Sequence, residues 1–254
     1  MTLALPTLRL GIRTPDVGNW QLFLNERGFR DPAGRPLVVD EAFGPRTAHA
    51  TVSWQRARHL STSGEVTLVE RRVAAVEGYV PFLLAKNFTP ASRGVIDLIV
   101  IHDMEYPEVP TGAEWCAQFF AGSNAPRAST HYSVDSNSVV QSVRDRDVAW
   151  HAPGANHNGI GIEHAGYAKQ SRQEWLDPYS LAELVISAHL VRKLCDRYAI
   201  PIVRLSAADL TAKKRGITGH ADVTKAFPGP GRTHWDPGPN FPWDKYIQLV
   251  DEAE

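Results

Sequence analysis

The run Val95-Ile-Asp-Leu-Ile-Val-Ile101 restricts this chain more than any other stretch. It is almost wholly apolar and rich in β-branched residues, and it is bounded by Gly94 and the polar pair His102-Asp103. A strand with one face in water alternates apolar and polar side chains. A continuous run instead predicts a strand covered on both faces, as in sheets whose crossovers lay helices above and below. Helical patterns nearby supply such layers. Thr111-Gly-Ala-Glu114 reads as a capping box ahead of Trp115, Cys116, Phe119 and Phe120. Ser180-Leu-Ala-Glu183 reads as another, opening a stripe of Leu181, Leu184, Val185, Ala188, Val191, Cys195 and Tyr198. Residues 131–135 and 138–143 flank Ser136-Asn137, a hairpin signal. Strands mixed with helices over about 160 residues indicate an α/β or α+β domain.

The first 68 residues are punctuated separately. Asp16 reads as an N-cap before Val17, Trp20, Phe23 and Leu24, closed by Gly28, and a second helix is expected from about Pro45 to Arg58. A further helix is expected near Val69–Val76, within a connector spanning 69–91. Trp20 and Trp54 are expected in the core of this small helical domain. A length of 254 residues accommodates two domains. With 27 Lys+Arg against 28 Asp+Glu the chain is no general polyanion binder, so nucleic acid is not an expected partner. The apolar runs fall far short of the roughly 20 residues that span a bilayer, so no membrane insertion is expected. The amino terminus lacks a basic stretch followed by an apolar core, so no secretory signal is expected. Cys116 and Cys195 show no Cys-x-x-Cys spacing and are read as buried thiols.

Among ten histidines, three settings stand out: His102 at the end of the buried run, His220 in Gly216-Ile-Thr-Gly-His220, and His234 two positions before Asp236. Backbone fixed by a strand fixes an imidazole, as a metal ligand requires. His102, His220 and Asp236 would make a three-ligand catalytic zinc set that leaves one position open. His49, His59, His157, His164 and His189 read as surface or satisfied core residues.

Six segments occur in an order that resembles one family: Val100-Ile-His102, Ser129-Thr-His131-Tyr, Ala149-Trp-His151-Ala, Ile160-Gly-Ile-Glu163, Gly219-His220-Ala-Asp222 and His234-Trp-Asp236-Pro-Gly-Pro239. That family is the zinc-dependent N-acetylmuramoyl-L-alanine amidases of type 2, which share the fold of peptidoglycan recognition proteins, and the resemblance implies an α/β fold with a mixed central β-sheet flanked by helices. The resemblance assigns 92–254 to the catalytic domain and implies one Zn2+ per chain on His102, His220 and Asp236. It implies Glu163 as acid/base, His234 in the place where this branch often has lysine, and Trp150 and His151 lining the substrate groove. His131 matches a position near the site, as pocket wall or buried support. In a strand Gly161 and Glu163 would share a face opposite Ile160 and Ile162, the glycine leaving space beside the carboxylate. Residues 8–68 resemble the three-helix peptidoglycan-binding module of cell-wall hydrolases, through Val17-x-x-Trp20-Gln21, Asp40-x-x-Phe43-Gly44-x-x-Thr47 and Trp54-Gln55.

The function so implied is hydrolysis of the amide between N-acetylmuramic acid and L-alanine in bacterial peptidoglycan. The expected enzyme is a monomeric, endolysin-like protein made in the host cytoplasm and acting on the wall after release. Two other readings are a non-catalytic peptidoglycan recognition protein on the same fold and a zinc peptidase cutting within the stem peptide. Loss of a ligand would favour the first, and all three candidate ligands are present; the second uses differently spaced His and Asp motifs that this sequence does not show.

Overall fold

The computed structural model describes residues 5–90 and 94–253. The first residues of the amino terminus, the end of the expected connector and the first two positions of the expected catalytic domain lie outside them. The chain divides into two compact units, Met1–Leu83 and Leu84–Glu254.

The first unit holds α1 (Pro15–Glu26), α2 (Pro45–Ala57) and α3 (Leu68–Val76). Trp20 and Trp54 are fully buried, with rings edge to face 5.2 Å apart, and Tyr79 meets Trp20 in the same way at 5.0 Å. Such pairs contribute about 0.5–1.5 kcal/mol beyond the area they bury. The expected connector therefore begins too early. Ala74 and Tyr79 belong to this core, so 69–83 complete the unit and do not link it onward. Asp16 does not cap α1 either, since the N-cap is Thr14. Its buried carboxylate accepts from Tyr79 Oη at 2.6 Å, the Phe82 N–H at 2.8 Å and the Arg71 guanidinium at 2.6 Å. Removing one partner of such a buried ion pair costs about 3–5 kcal/mol.

The second unit contains β1 (Phe88–Thr89), β2 (Leu98–Asp103), α4 (Gly112–Ala121), β3 (Tyr132–Val134), β4 (Val139–Gln141), β5 (Val148–Ala149) and β6 (Gly159–His164). It continues with α5 (Pro178–Tyr198), α6 (Ala207–Thr211), β7 (Gly216–Gly219), α7 (His220–Ala226) and α8 (Trp243–Glu252). β1 and β5 pair by themselves, and the other strands form one mixed sheet in the order β4-β3-β6-β2-β7. β3, β6, β2 and β7 run parallel, with β4 antiparallel at the edge. The predicted hairpin is present, and Asp135 Oδ1 accepts from the N–H groups of Asn137 and Ser138 across its turn.

The buried run sits in the sheet three residues later than its first apolar position suggests. Leu98 to Asp103 are all buried, so His102 and Asp103 lie inside the strand. Alternation puts Leu98, Val100 and His102 on one face of β2. Leu98 and Val100 pack with Ala152, Leu205, Leu210 and Val223, so this face is covered by the loop after β5 and by α6 and α7. On the opposite face His164 Nε2 lies 2.7 Å from Ser187 Oγ of α5, which lies 2.6 Å from Tyr246 Oη of α8.

Two expected capping boxes are not formed. Thr111 precedes α4 without a side-chain cap, and Phe119 is 46% exposed. α5 starts earlier than expected, capped by Asp177 through the N–H groups of Tyr179 and Ser180. Glu183 turns to the sheet side instead, where its Oε1 accepts the Ala165 N–H at 2.6 Å, while its buried Oε2 has no partner. Burial holds this carboxyl well above its ordinary value of 4.5. The folded chain keeps a proton that the unfolded chain releases. The associated stability is full below pH 4.5 and is lost as pH rises toward the folded value. Glu183→Gln is expected to flatten the fall in melting temperature with rising pH. An unchanged slope would show that Glu183 is already ionised in the fold.

Candidate functional site

The site lies at the carboxyl end of the parallel strands, where open α/β sheets gather their ligands. His102 is the fifth residue of β2 and pairs in register with Glu163 of β6, which in turn pairs with Ser133 of β3. Residues in register across a sheet share a face, so these three form a row. His220 follows Gly219, the partner of Ile101, and so extends that row beyond β7 as the first residue of α7. Asp236 arrives from a loop. Its carbonyl accepts the Ala221 N–H at 2.9 Å, which fastens the loop to the start of α7. Two residues on, Gly238 has φ +89°, and a Cβ there would fall 1.8 Å from the Ala168 carbonyl oxygen. Only glycine allows this close approach of the two backbones.

The three expected ligands converge. His102 Nδ1 lies 2.9 Å from Asp236 Oδ2, His220 Nδ1 lies 3.2 Å from Asp236 Oδ1, and one ligand atom from each residue falls within 4.8 Å of the others. Burial pushes His220 down to about 4, so its ring is neutral and offers a lone pair. Asp236 is held far below the ordinary carboxylate range by contacts to His102, His220 and His234 that outweigh its burial. Two imidazoles and one ionised carboxylate closing on one point match the donor set of a borderline-soft divalent cation such as zinc.

Glu163 is partly buried, with its Oε2 sealed from solvent and without a hydrogen-bond partner. Burial first, then the negative charges of Asp236 and Asp103, push this carboxyl well above its ordinary value. Asp103 is raised to about 8 by burial and then by Asp236, and its Oδ1 accepts the Glu105 N–H. His234 is exposed, stacks on His220 with centroids 4.3 Å apart, and has Nδ1 3.6 Å from Asp236 Oδ1. Its contact with Asp236 raises its pKa, which favours the charged ring.

Of the residues expected in or near the groove, His131 and His151 are buried, while Trp150 is not. His131 is fully buried, with Nε2 3.2 Å from the Asp147 carbonyl oxygen and Nδ1 accepting the Gly161 N–H at 3.0 Å. The structure therefore makes it buried support and not pocket wall. His151 is 8% exposed, and its ring contacts the backbone of β6 and His102. Trp150 is half-buried, and its Nε1 donates to Thr89 Oγ1 at 2.9 Å. The space beside Gly161 is present and filled: a Cβ there would meet His151 Cγ at 2.6 Å. Cys116 and Cys195 are buried free thiols, His49, His59, His157 and His189 are exposed, and His164 is a buried, hydrogen-bonded core residue, as the sequence suggests. Ser133 and Asp103 do not stand out in the sequence. Counting by two along the strand from His131 reaches Ser133.

Comparison with known proteins shows the family of the chain. The chain is 26% identical over 175 residues to N-acetylmuramoyl-L-alanine amidase A of Achromobacter lyticus, covering 66% of this chain and 89% of that one. The hydrolase AmiA of Staphylococcus aureus, solved in complex with its ligand, superposes with a TM-score of 0.52 at 16% identity, over 72% of this chain and 88% of that one. A mutant structure of PlyL gives a TM-score of 0.48 at 19% identity, over 68% and 99%. AmiA supports the fold alone. The model of the N-acetylmuramoyl-L-alanine amidase family matches residues 92–239, more than half of the chain and a span containing His102, Glu163, His220 and Asp236. By that match the chain belongs to the N-acetylmuramoyl-L-alanine amidases and is a peptidoglycan hydrolase that cuts the amide between N-acetylmuramic acid and L-alanine.

Proposed function

We propose that this amidase works with one zinc ion held by His102, His220 and Asp236, with Glu163 as its proton-transfer residue. The observation that carries the reading is the convergence of those three donors beside a registered carboxylate whose buried oxygen has no partner. When bound, zinc supplies Lewis acidity, which activates water and polarises a carbonyl. Glu163 takes the proton of the attacking water and delivers it to the L-alanine nitrogen as the amide breaks. Its raised pKa suits both halves of that transfer, since the carboxylate is a stronger base and holds the proton until the amine needs it. His234, exposed beside Asp236, whose contact favours its charged form, assists where negative charge develops on the scissile oxygen. Trp150, the less buried of the two residues the family pattern puts in the groove, is the one that meets substrate, while His151 serves from beneath. Digestion of purified wall is expected to create free L-alanine amino termini without new reducing sugar ends. New reducing ends from the pure enzyme would mean a glycosidase.

We further propose that the first unit binds peptidoglycan and that the whole chain acts as a monomeric, endolysin-like lysin on the bacterial wall. The pairing of a small three-helix unit with an amidase supports this reading. Among the described residues no helix is long and apolar enough to cross a membrane. Removing residues 1–83 should weaken co-sedimentation with insoluble peptidoglycan and leave cleavage of a small soluble muropeptide nearly unchanged, because a tethered wall binder raises local concentration only at a surface. Equal loss on both substrates would make the first unit part of the catalytic machinery.

A further inference from the structure

Beneath His102 the ring nitrogens form a chain with only one direction. His151 Nε2 lies 3.2 Å from the carbonyl oxygen of Gly159, and a carbonyl can only accept, so Nε2 carries the proton. In the neutral ring Nδ1 is then an acceptor. It lies 3.0 Å from His102 Nε2, which must donate to it. That places a His102 proton on Nε2, so that once a cation takes the place of any proton between Nδ1 and Asp236 Oδ2, 2.9 Å apart, the Nδ1 lone pair is the one that faces it.

We propose that His151 is a positioning residue that fixes His102 in the tautomer able to bind metal through Nδ1, and that Gly161 and His131 exist in this motif to seat it. The inference rests on His102 being a zinc ligand. Gly161 leaves the gap that the His151 ring fills, since a Cβ there would come within 3.0 Å of three of its atoms. His131 holds that glycine from both sides, accepting its N–H and donating its own N–H to the Gly161 carbonyl at 3.2 Å, while Thr130 Oγ1 adds a third bond at 2.9 Å. Asn156 Oδ1 accepts the N–H groups of His151 and Ala152 at 3.0 and 2.7 Å, fixing the backbone that carries the ring. Three of the six motifs thus serve one nitrogen atom. A hydrogen bond of this kind sets ring orientation and raises ligand basicity, and its loss typically weakens metal binding about 10–100-fold.

Nitrogen-15 spectroscopy of the zinc-loaded full chain tests this without a variant. The expected result is a His102 ring protonated at Nε2, with a slowly exchanging N–H coupled to His151 Nδ1. A ring protonated at Nδ1 would overturn the proposal. His151→Phe keeps the bulk but removes the acceptor, and is expected to weaken zinc binding about 10–100-fold in a competition titration while the metal-free melting temperature holds. His151→Asn, with an amide oxygen near the lost Nδ1, should recover part of that loss. Equal affinity in parent and His151→Phe, or equal loss in Phe and Asn variants with the His102 N–H still protected, would refute the positioning role. Failure of the parent chain to bind zinc would instead refute the metal reading beneath it.

Discussion

Glu163→Gln is expected to lower turnover about 10²–10⁴-fold while zinc content stays at the parent level, the scale on which a positioned acid/base contributes. The substitution keeps the shape of the side chain and removes its ability to take a proton. Three features make the loss specific. The residue is not among the converged ligand donors, so metal should be retained. Its position is set by register with His102 on a strand, and a neutral side chain of the same length inherits that position. Its Oε2 has no competing partner that an amide would disrupt, so an effect on turnover is not an effect on a structural hydrogen bond. A melting temperature near that of the parent would confirm that the fold is intact. Near-normal turnover would remove Glu163 from the reaction and direct the search to Asp103, the other raised carboxyl beside Asp236.

How much of this was visible in the sequence depends on how local the deciding physics is. The run ending at His102 gave away a buried strand because both faces of one segment are legible in its own residues. The hairpin turn followed for the same reason, with Asp135 bonding the backbone two and three residues on. The helix starts failed where a capping residue had a better partner far away. Glu183 was expected to serve the start of its own helix, but Asp177 caps α5 and Glu183 turns to Ala165 on the strand side. Asp16 failed in the same manner, drawn to Arg71 and Tyr79 more than fifty residues later. That long-range bond also explains the misplaced boundary, since nothing local to 69–83 announces a partner at residue 16. Within the site, the residues that converge, His102, His220 and Asp236, were recoverable from the order of motifs, whereas the placement of His131 and His151 was not. A histidine in a motif reads the same whether its ring meets substrate or a neighbour's nitrogen, and only the packing around Gly161 separates the two.

His220→Ala is expected to be the most damaging single change in the chain, because it acts on the metal and not on one proton. Two ligands would remain from three, and the neutral ring that burial keeps unprotonated would be gone. Zinc content should fall from about one per chain to a trace under ordinary dialysis, and turnover should fall further than in Glu163→Gln. The fold should survive, since Val223 still anchors α7 in the core and the Ala221 N–H still holds the Asp236 loop. Chelation separates loss of metal from loss of structure. A metal that binds only the folded chain stabilises it by about 2.7 kcal/mol when free metal is about 100 times its dissociation constant. Removing zinc should therefore lower the melting temperature of the parent and leave that of His220→Ala unchanged. If the variant kept its zinc and its response to chelator, His220 would not be a ligand, and the lone pairs of His102 and Asp236 would have to find their third partner elsewhere, with His234, 3.6 Å from Asp236, first in reach.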